Sequence, residues 1–346
     1  MYWKYVAKRA LYGALMYVLM IFTYSVLFNS VAEKVLRAQI DEAAAQEVKK
    51  IKNVSQDELA LMLEARREAK YAQYHLDEPL AARIFWRAVG TIDFHFGNSS
   101  IIKASNGDRA VIGIIGEALP NTVLLFTTEV VITVALGVAL GLHAARRPNG
   151  PLDRTTSMLT MITNGLPSWW LGMILLMYAA YTARIFPSGG LHSNPVPTGF
   201  ASFADLMWHL ALPLITLVFL GVWTTAYVTR NIVLANLQED FVMAARARGI
   251  PERRVLFGHT LRTSMPAIMT IAVLSLFASI AGNIIIEGVF GWPGIGNLYF
   301  IAVEQNDVPV LMSTLAIETL LTMVGFVILD LIYGFLDPRI KVGGRA

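Results

Sequence analysis

The chain has 346 residues, of which 55% are hydrophobic and only 15% charged; soluble domains carry about a quarter charged residues, so an ordinary soluble fold is excluded. A net charge of +3, dispersed along the chain, is too small for a nucleic-acid protein. The absence of cysteine rules out disulfides, thiolate metal sites and cysteine nucleophiles.

A helix crosses the roughly 30 Å hydrocarbon layer with about 20 residues. Six segments reach that length with few charges: Ala10 to Val31, Pro120 to Ala145, Ser157 to Phe186, Leu206 to Thr229, Pro266 to Gly288, and Val308 to Leu336. The fold expected is therefore an all-α integral membrane protein with six transmembrane helices. Three regions follow: 1–31 with the first span, 32–119 as an extracytoplasmic loop, and 120–346 as a five-helix core that includes a cytoplasmic loop at 230–265.

Basic residues in short loops resist translocation and set orientation. One side carries Lys4, Lys8 and Arg9, then Arg146, Arg147 and Arg154, then the arginines from Arg230 to Arg262, then Arg339, Lys341 and Arg345. The opposite loops, Ser188 to Asp205 and Glu287 to Asp307, contain no lysine or arginine. Both termini are expected inside, in a multi-pass protein of the cytoplasmic membrane. Ser30-Val31-Ala32 has the look of a signal cleavage site, but the apolar run before it exceeds the 7–15 residues of a signal core, which favours a retained first span. Beyond it, Ala32 to Ala72 is rich in Ala, Glu, Lys, Arg and Leu, a helix-forming composition. It reads equally as a spacer or as a docking surface for an external partner.

In the second span, Gly137 and Gly141 form a Gly-x-x-x-Gly pair suited to close packing within the chain. Glu129 and Glu318 lie deep within spans, where a charge is expensive and must face protein or water. Each is a candidate for the translocation path or for a polar contact between helices. The turn Phe290, Gly291, Trp292, Pro293, Gly294 and Gly296 reads either as an interfacial aromatic anchor or as an external gate with mobile glycines.

The cytoplasmic loop is the most informative stretch. Its core, Asp240-Phe241-Val242-Met243-Ala244-Ala245-Arg246-Ala247-Arg248-Gly249-Ile250, is a short helix in which small residues permit close approach, Gly249 supplies a left-handed stop, and Pro251 bars continuation. Physics alone leaves this as a basic helix on the membrane surface. The residues also resemble the coupling loop of ABC importer permeases, Glu-Ala-Ala followed three residues later by Gly. Ala244, Ala245 and Gly249 match, while Met243 stands at the Glu position.

The resemblance extends from about Tyr74 to Arg339 and is similar to the dipeptide and oligopeptide (peptide/nickel) branch. It rests on Glu287-Gly288-Val289-Phe290 with the Pro293-Gly294-Ile295-Gly296 that follows, on Gly165-Leu166-Pro167-Ser168, and on Phe186-Pro187-Ser188-Gly189-Gly190. Further matches are His209-Leu210-Ala211-Leu212-Pro213, Phe94-His95-Phe96-Gly97-Asn98-Ser99, and Leu336-Asp337-Pro338-Arg339. The Pro-Gly-Asp-Pro string usual after the first span is absent, and a charged insert takes its place.

The resemblance implies a type I permease that couples through Asp240, Phe241, Ala244, Ala245, Arg246, Arg248, Gly249 and Ile250 to a groove on an ATP-binding subunit. It implies four kinds of partner: a second related permease, two ATP-binding subunits, an external substrate-binding protein and membrane lipid. The substrate expected is a di- or oligopeptide, with oligosaccharide or nickel as alternatives. The chain lacks the Gly-x-x-x-x-Gly-Lys-Ser/Thr phosphate loop, so ATP and Mg are expected on partners rather than as cofactors here. No His-Glu-x-x-His, Gly-x-Ser-x-Gly or close-spaced histidine pair marks a catalytic or metal centre. An intramembrane enzyme using Glu129 or Glu318, and a receptor or scaffold, are the readings from other classes.

Overall fold

In lipid every backbone N–H and C=O must be satisfied within the chain, so long apolar blocks fold as helices. A computed structural model describes residues 2–49, 55–73, 76–279 and 282–336. Tyr74, Asp337-Pro338-Arg339, Lys341 and Arg345 lie outside these. In chain order the helices are α1 (Tyr2–Lys49), α2 (Gln56–Gln73), α3 (Leu80–Ile92), α4 (Val111–Arg146), α5 (Pro151–Gly165), α6 (Ser168–Leu175), α7 (Phe200–Leu237), α8 (Asp240–Ala247), α9 (Glu252–Arg254), α10 (Leu261–Ser279), α11 (Ile284–Val289), α12 (Ile295–Glu304) and α13 (Val308–Leu336). Wider π turns at Leu176–Thr182 and Val255–Thr260 extend α6 and precede α10.

Among the described residues, five stretches are long and apolar enough to span a membrane: Val6–Asn29, Val111–Arg146, Phe200–Leu237, Glu252–Ser279 and Val308–Ile328. A sixth arises if the bent pair Pro151–Gly165 and Ser168–Thr182 is one span. Two predicted spans need correction. The third is not straight: it turns by 95° at Leu166-Pro167, because proline disfavours helix at the residue before it and cannot donate an amide within it. The fifth begins at Glu252 and its helix is described only to Ser279, while Asn283 opens the separate helix α11 by accepting hydrogen bonds from the amides of Ile285 and Ile286.

The described residues form two compact units, one built chiefly on Ala118–Asn297 and the other on Ala7–Glu117 with Leu298–Val324. This division differs from the regions expected at 1–31, 32–119 and 120–346. With no Gly or Pro between Gly13 and Lys49 to stop it, α1 continues straight from the first span into the insert.

Within the second unit, the far half of α1 pairs with α2. Arg67 bonds Asp41 at 2.6 Å, the Tyr71 hydroxyl donates to the same carboxylate at 2.8 Å, Lys70 reaches Glu47 at 2.9 Å, and Arg66 also pairs with Glu47. The Tyr71 hydroxyl and the Arg67 guanidinium hold the Asp41 carboxyl below its ordinary range. In the same unit, Asp307 is fully buried. It accepts from the Ser99 hydroxyl at 2.5 Å and from the amides of Ile101 and Ile102 at 2.9 and 3.2 Å, which pins the Phe94 to Ser99 string to the start of α13.

In the first unit, α5 packs on α7, and a bidentate pair joins them: Arg230 donates to Asp153 at 2.7 and 2.8 Å. The Gly137 and Gly141 pair serves packing inside the chain. A Cβ at Gly137 would fall 2.6 Å from Thr225 of α7, and one at Gly141 would strike the backbone and side chains at Ala226 and Thr229.

Candidate functional site

Two short helices sit at opposite ends of α4. Leu142 and Ala145 of α4 pack with Val233 of α7 and with Leu256, beside α8, whereas Asn121 and Thr122 hold the α11 segment. From Thr122 to Leu142 an α-helix rises about 30 Å, the thickness of the hydrocarbon layer.

At the first end, Glu239 opens α8 with an extended backbone, and Asp240 lies in the first turn, where a negative charge suits the helix dipole. The helix closes as its sequence predicts. Gly249 has φ +74°, its amide donates to the Arg246 carbonyl at 2.9 Å, and the Ile250 amide donates to the Ala245 carbonyl at 3.3 Å. These two bonds form a Schellman closure. Arg246 is held by two hydrogen bonds to Glu252, at 2.7 and 3.1 Å.

Val242 and Ala245 are buried, packing with Val255, Leu237 and Ile250. Ala245 is thus the inner face of the helix, unlike the contact role expected for it. The outward residues are Asp240, Phe241, Met243, Ala244, Arg246, Ala247, Arg248 and Gly249. Phe241 is 41% and Met243 62% exposed, so the two largest apolar side chains of the helix point away from its own support.

At the other end, the Glu287 to Gly296 string folds around its own glutamate. Glu287 is fully buried. It accepts from the Thr122 hydroxyl at 2.8 Å and from the Asn297 amide at 2.8 Å, while the Thr122 oxygen accepts from the Ile295 amide at 2.7 Å. Trp292 donates through Nε1 to the Asn121 carbonyl at 2.9 Å, and Asn121 returns a bond to the Pro293 carbonyl at 2.9 Å. Glycine is required here for room: a Cβ on Gly294 would strike Thr122 and Glu287, and one on Gly296 would lie 2.7 Å from the Ile284 amide.

The anchor reading of Trp292 is overturned. The indole is fully buried, with Phe290 beside it, in a cluster with Leu125, Phe126, Leu210, Leu212 and Ile286, whereas an interfacial tryptophan would face headgroups. Other strings noted in the sequence converge on this cluster. The Gly190 amide, from the Phe186 to Gly190 string, meets the Phe290 carbonyl at 3.3 Å, and Leu210 and Leu212 come from the His209 to Pro213 stretch.

Sequence reasoning passed over Glu287 and Thr122 as functional residues. They stand 165 positions apart, and the one available signal was an acidic residue closing an apolar run just before a glycine-rich turn.

The two intramembrane glutamates fall in different units. Glu129 is half-buried, accepts from Thr133 at 2.7 Å and faces Gly221 of α7. Glu318 is half-buried with no hydrogen bond or ion pair among the described residues, next to Thr319, whose hydroxyl meets Tyr24 at 3.1 Å.

Comparison with known proteins gives this arrangement its context. Residues 137–342, more than half of the chain, match the family described as "Binding-protein-dependent transport system inner membrane component". The chain is 31% identical to the oligopeptide transport system permease protein AppB of Bacillus subtilis (strain 168), over 82% of this chain and 90% of that one. It is 29% identical to the dipeptide transport system permease protein DppB of the same organism, over 78% of this chain and 82% of that one. Among solved structures, an inward-facing form of the MetNI methionine ABC transporter shares the fold with a TM-score of 0.51 at 16% identity, covering 65% of this chain and 97% of that one. The chain belongs to the inner-membrane permease family of binding-protein-dependent transport systems.

Proposed function

We propose that this permease carries di- or oligopeptides inward as one membrane subunit of an ATP-driven importer. The relation to AppB and DppB over four-fifths of the chain carries the reading. The chain contains no phosphate loop, so the motor is a pair of separate ATP-binding subunits that bring their own Mg. A second related permease completes the pore, and an external binding protein selects the peptide.

The α8 helix is the lever in this reading. Its outward Phe241, Met243 and Ala244 seat in the ATP-binding subunit, and the basic Arg246 and Arg248 flank them. The closed Schellman turn and the small core around Ala245 make the helix a stiff unit that transmits displacement. Coupling requires only that ATP and the loaded binding protein favour the outward-facing state over the inward-facing one. Phe290 and Trp292 support the outer end of the path, and Glu129 supplies a polar group between α4 and α7 along it.

The chain has no cysteine, so an introduced one reports alone. Ala244→Cys is expected to react with a membrane-impermeant thiol reagent only from the cytoplasmic side, and to be shielded when the ATP-binding subunit is present. Phe241→Ala is expected to weaken that subunit's association by about thirtyfold, as loss of a buried interface aromatic does, and to lower peptide uptake with unchanged membrane insertion. Labelling from the outer face, or normal uptake in both variants, overturns the lever. Purification with a binding protein that retains a sugar or nickel overturns the peptide.

A further inference from the structure

The Ala7–Glu117 and Leu298–Val324 unit contains a cleft of about 1030 Å³ whose walls combine guanidinium groups with apolar side chains. Four Lys or Arg residues line it, Lys70, Arg83, Arg87 and Arg109, against one carboxylate, Glu42. Lys70 is engaged by Glu47, but α3 brings Arg83 and Arg87, four residues apart on one helix face, to the wall. Arg83 pairs with Glu33 through one arm while its buried Nε has no acceptor among the described residues. Arg87 donates to the Asn29 side chain at 2.9 Å and meets no carboxylate within ion-pair distance among them. Burial, helped by the neighbouring Arg83 charge, pulls the Arg87 pKa down against the attraction of Glu33.

The cleft's level in the membrane says what would supply that charge. Asn29, which holds Arg87, ends the span Val6–Asn29, and Val308, which lines the cleft, begins the span Val308–Ile328. Arg87 therefore sits where two spans meet the headgroup layer. Apolar side chains of Leu36, Ile40, Val308 and Met312 line the same cleft. A ligand with an anionic head and a hydrocarbon body satisfies both kinds of lining, whereas a soluble anion would satisfy the arginines alone.

We propose that this cleft binds an anionic phospholipid, its phosphate held by Arg83 and Arg87 and the upper part of an acyl chain lying on Leu36, Ile40 and Met312. Guanidinium groups suit phosphate because they offer paired donors in a plane, and basic pockets between membrane helices take lipid headgroups. The bound lipid ties the charged insert to the start of α13 across a cleft that contacts among the described residues leave open.

The full complex, purified and reconstituted in nanodiscs of either phosphatidylglycerol or phosphatidylcholine, tests this by native mass spectrometry after release. Retention of phosphatidylglycerol over phosphatidylcholine by at least about tenfold is expected for the wild type. R83Q/R87Q is expected to lose that preference, and R87K, which keeps the bond to Asn29, to retain part of it. R66Q, on the exposed α2 pair, should leave retention unchanged. Thermal melting in phosphatidylcholine separates lost binding from lost folding, and the wild-type preference needs no variant. Equal retention of the two lipids, unchanged preference in a folded R83Q/R87Q, or displacement of phosphatidylglycerol by millimolar inorganic phosphate that itself remains bound would each overturn the proposal.

Discussion

The α8 and α11 segments are built from similar parts and turned opposite ways. Each is a short helix at one end of α4, each is followed by a glycine in the left-handed region, Gly249 at φ +74° and Gly291 at φ +56°, and each carries bulky apolar side chains. In the α11 segment those side chains point inward: Phe290 is 2% exposed and Trp292 is wholly enclosed. In α8 the small residue is enclosed and the large ones, Phe241 and Met243, are outside. A region that buries its aromatic groups and satisfies its polar ones is finished within the chain. A region that buries alanine and displays phenylalanine is finished only by another molecule, because exposed apolar area on a rigid support is what interfaces cover.

This contrast is open to direct test. The largest effect is expected from Trp292→Ala, which removes an enclosed indole and should cost about 3–5 kcal/mol of stability by cavity formation. Phe241→Ala removes an aromatic of the same kind in α8 and should leave stability within about 0.5 kcal/mol. Thermal unfolding of the purified permease measures both, and equal losses would erase the distinction.

Glu287→Gln keeps the shape but leaves one donor, from Thr122 or Asn297, facing an amide N–H; the expected cost is about 1–3 kcal/mol in the same assay. An unchanged melting point would mean that the carboxyl does not hold the segment. A smaller effect is expected at Gly249→Ala, where the position is open to solvent and only the left-handed backbone resists a Cβ. About 1 kcal/mol should be lost, whereas Gly296→Ala, which meets the Ile284 backbone, should cost about 1–3 kcal/mol by overpacking. Reversal of that order would place the close packing at the wrong end.

Much of this was legible in the residues. Gly249 and Pro251 mark the end of α8 because positive φ and a missing amide are properties of single residues, whatever surrounds them. The Gly137 and Gly141 spacing announced a close helix contact for the same local reason. The anchor alternative for Trp292 failed because tryptophan is at home both in a headgroup layer and in a core, and only the Asn121 carbonyl and the Leu210 and Leu212 side chains decide between them. Ala245 was misplaced for a related reason: a small residue fits against a partner or against its own loop, and Val242 and Val255 claim it.

The 95° turn at Pro167 lay in plain view as Leu-Pro, yet the apolar run continues past it, so hydropathy alone joined the two arms. Length, hydropathy and punctuation set the helices and their approximate ends, and short motif strings carried the resemblance to the family, since each depends on residues near in sequence. Which apolar side chains face inward was settled only by contacts between distant parts such as Thr122 with Glu287. In a membrane protein lipid and core reward the same side chains, and the periodicity that separates inside from outside in water is erased.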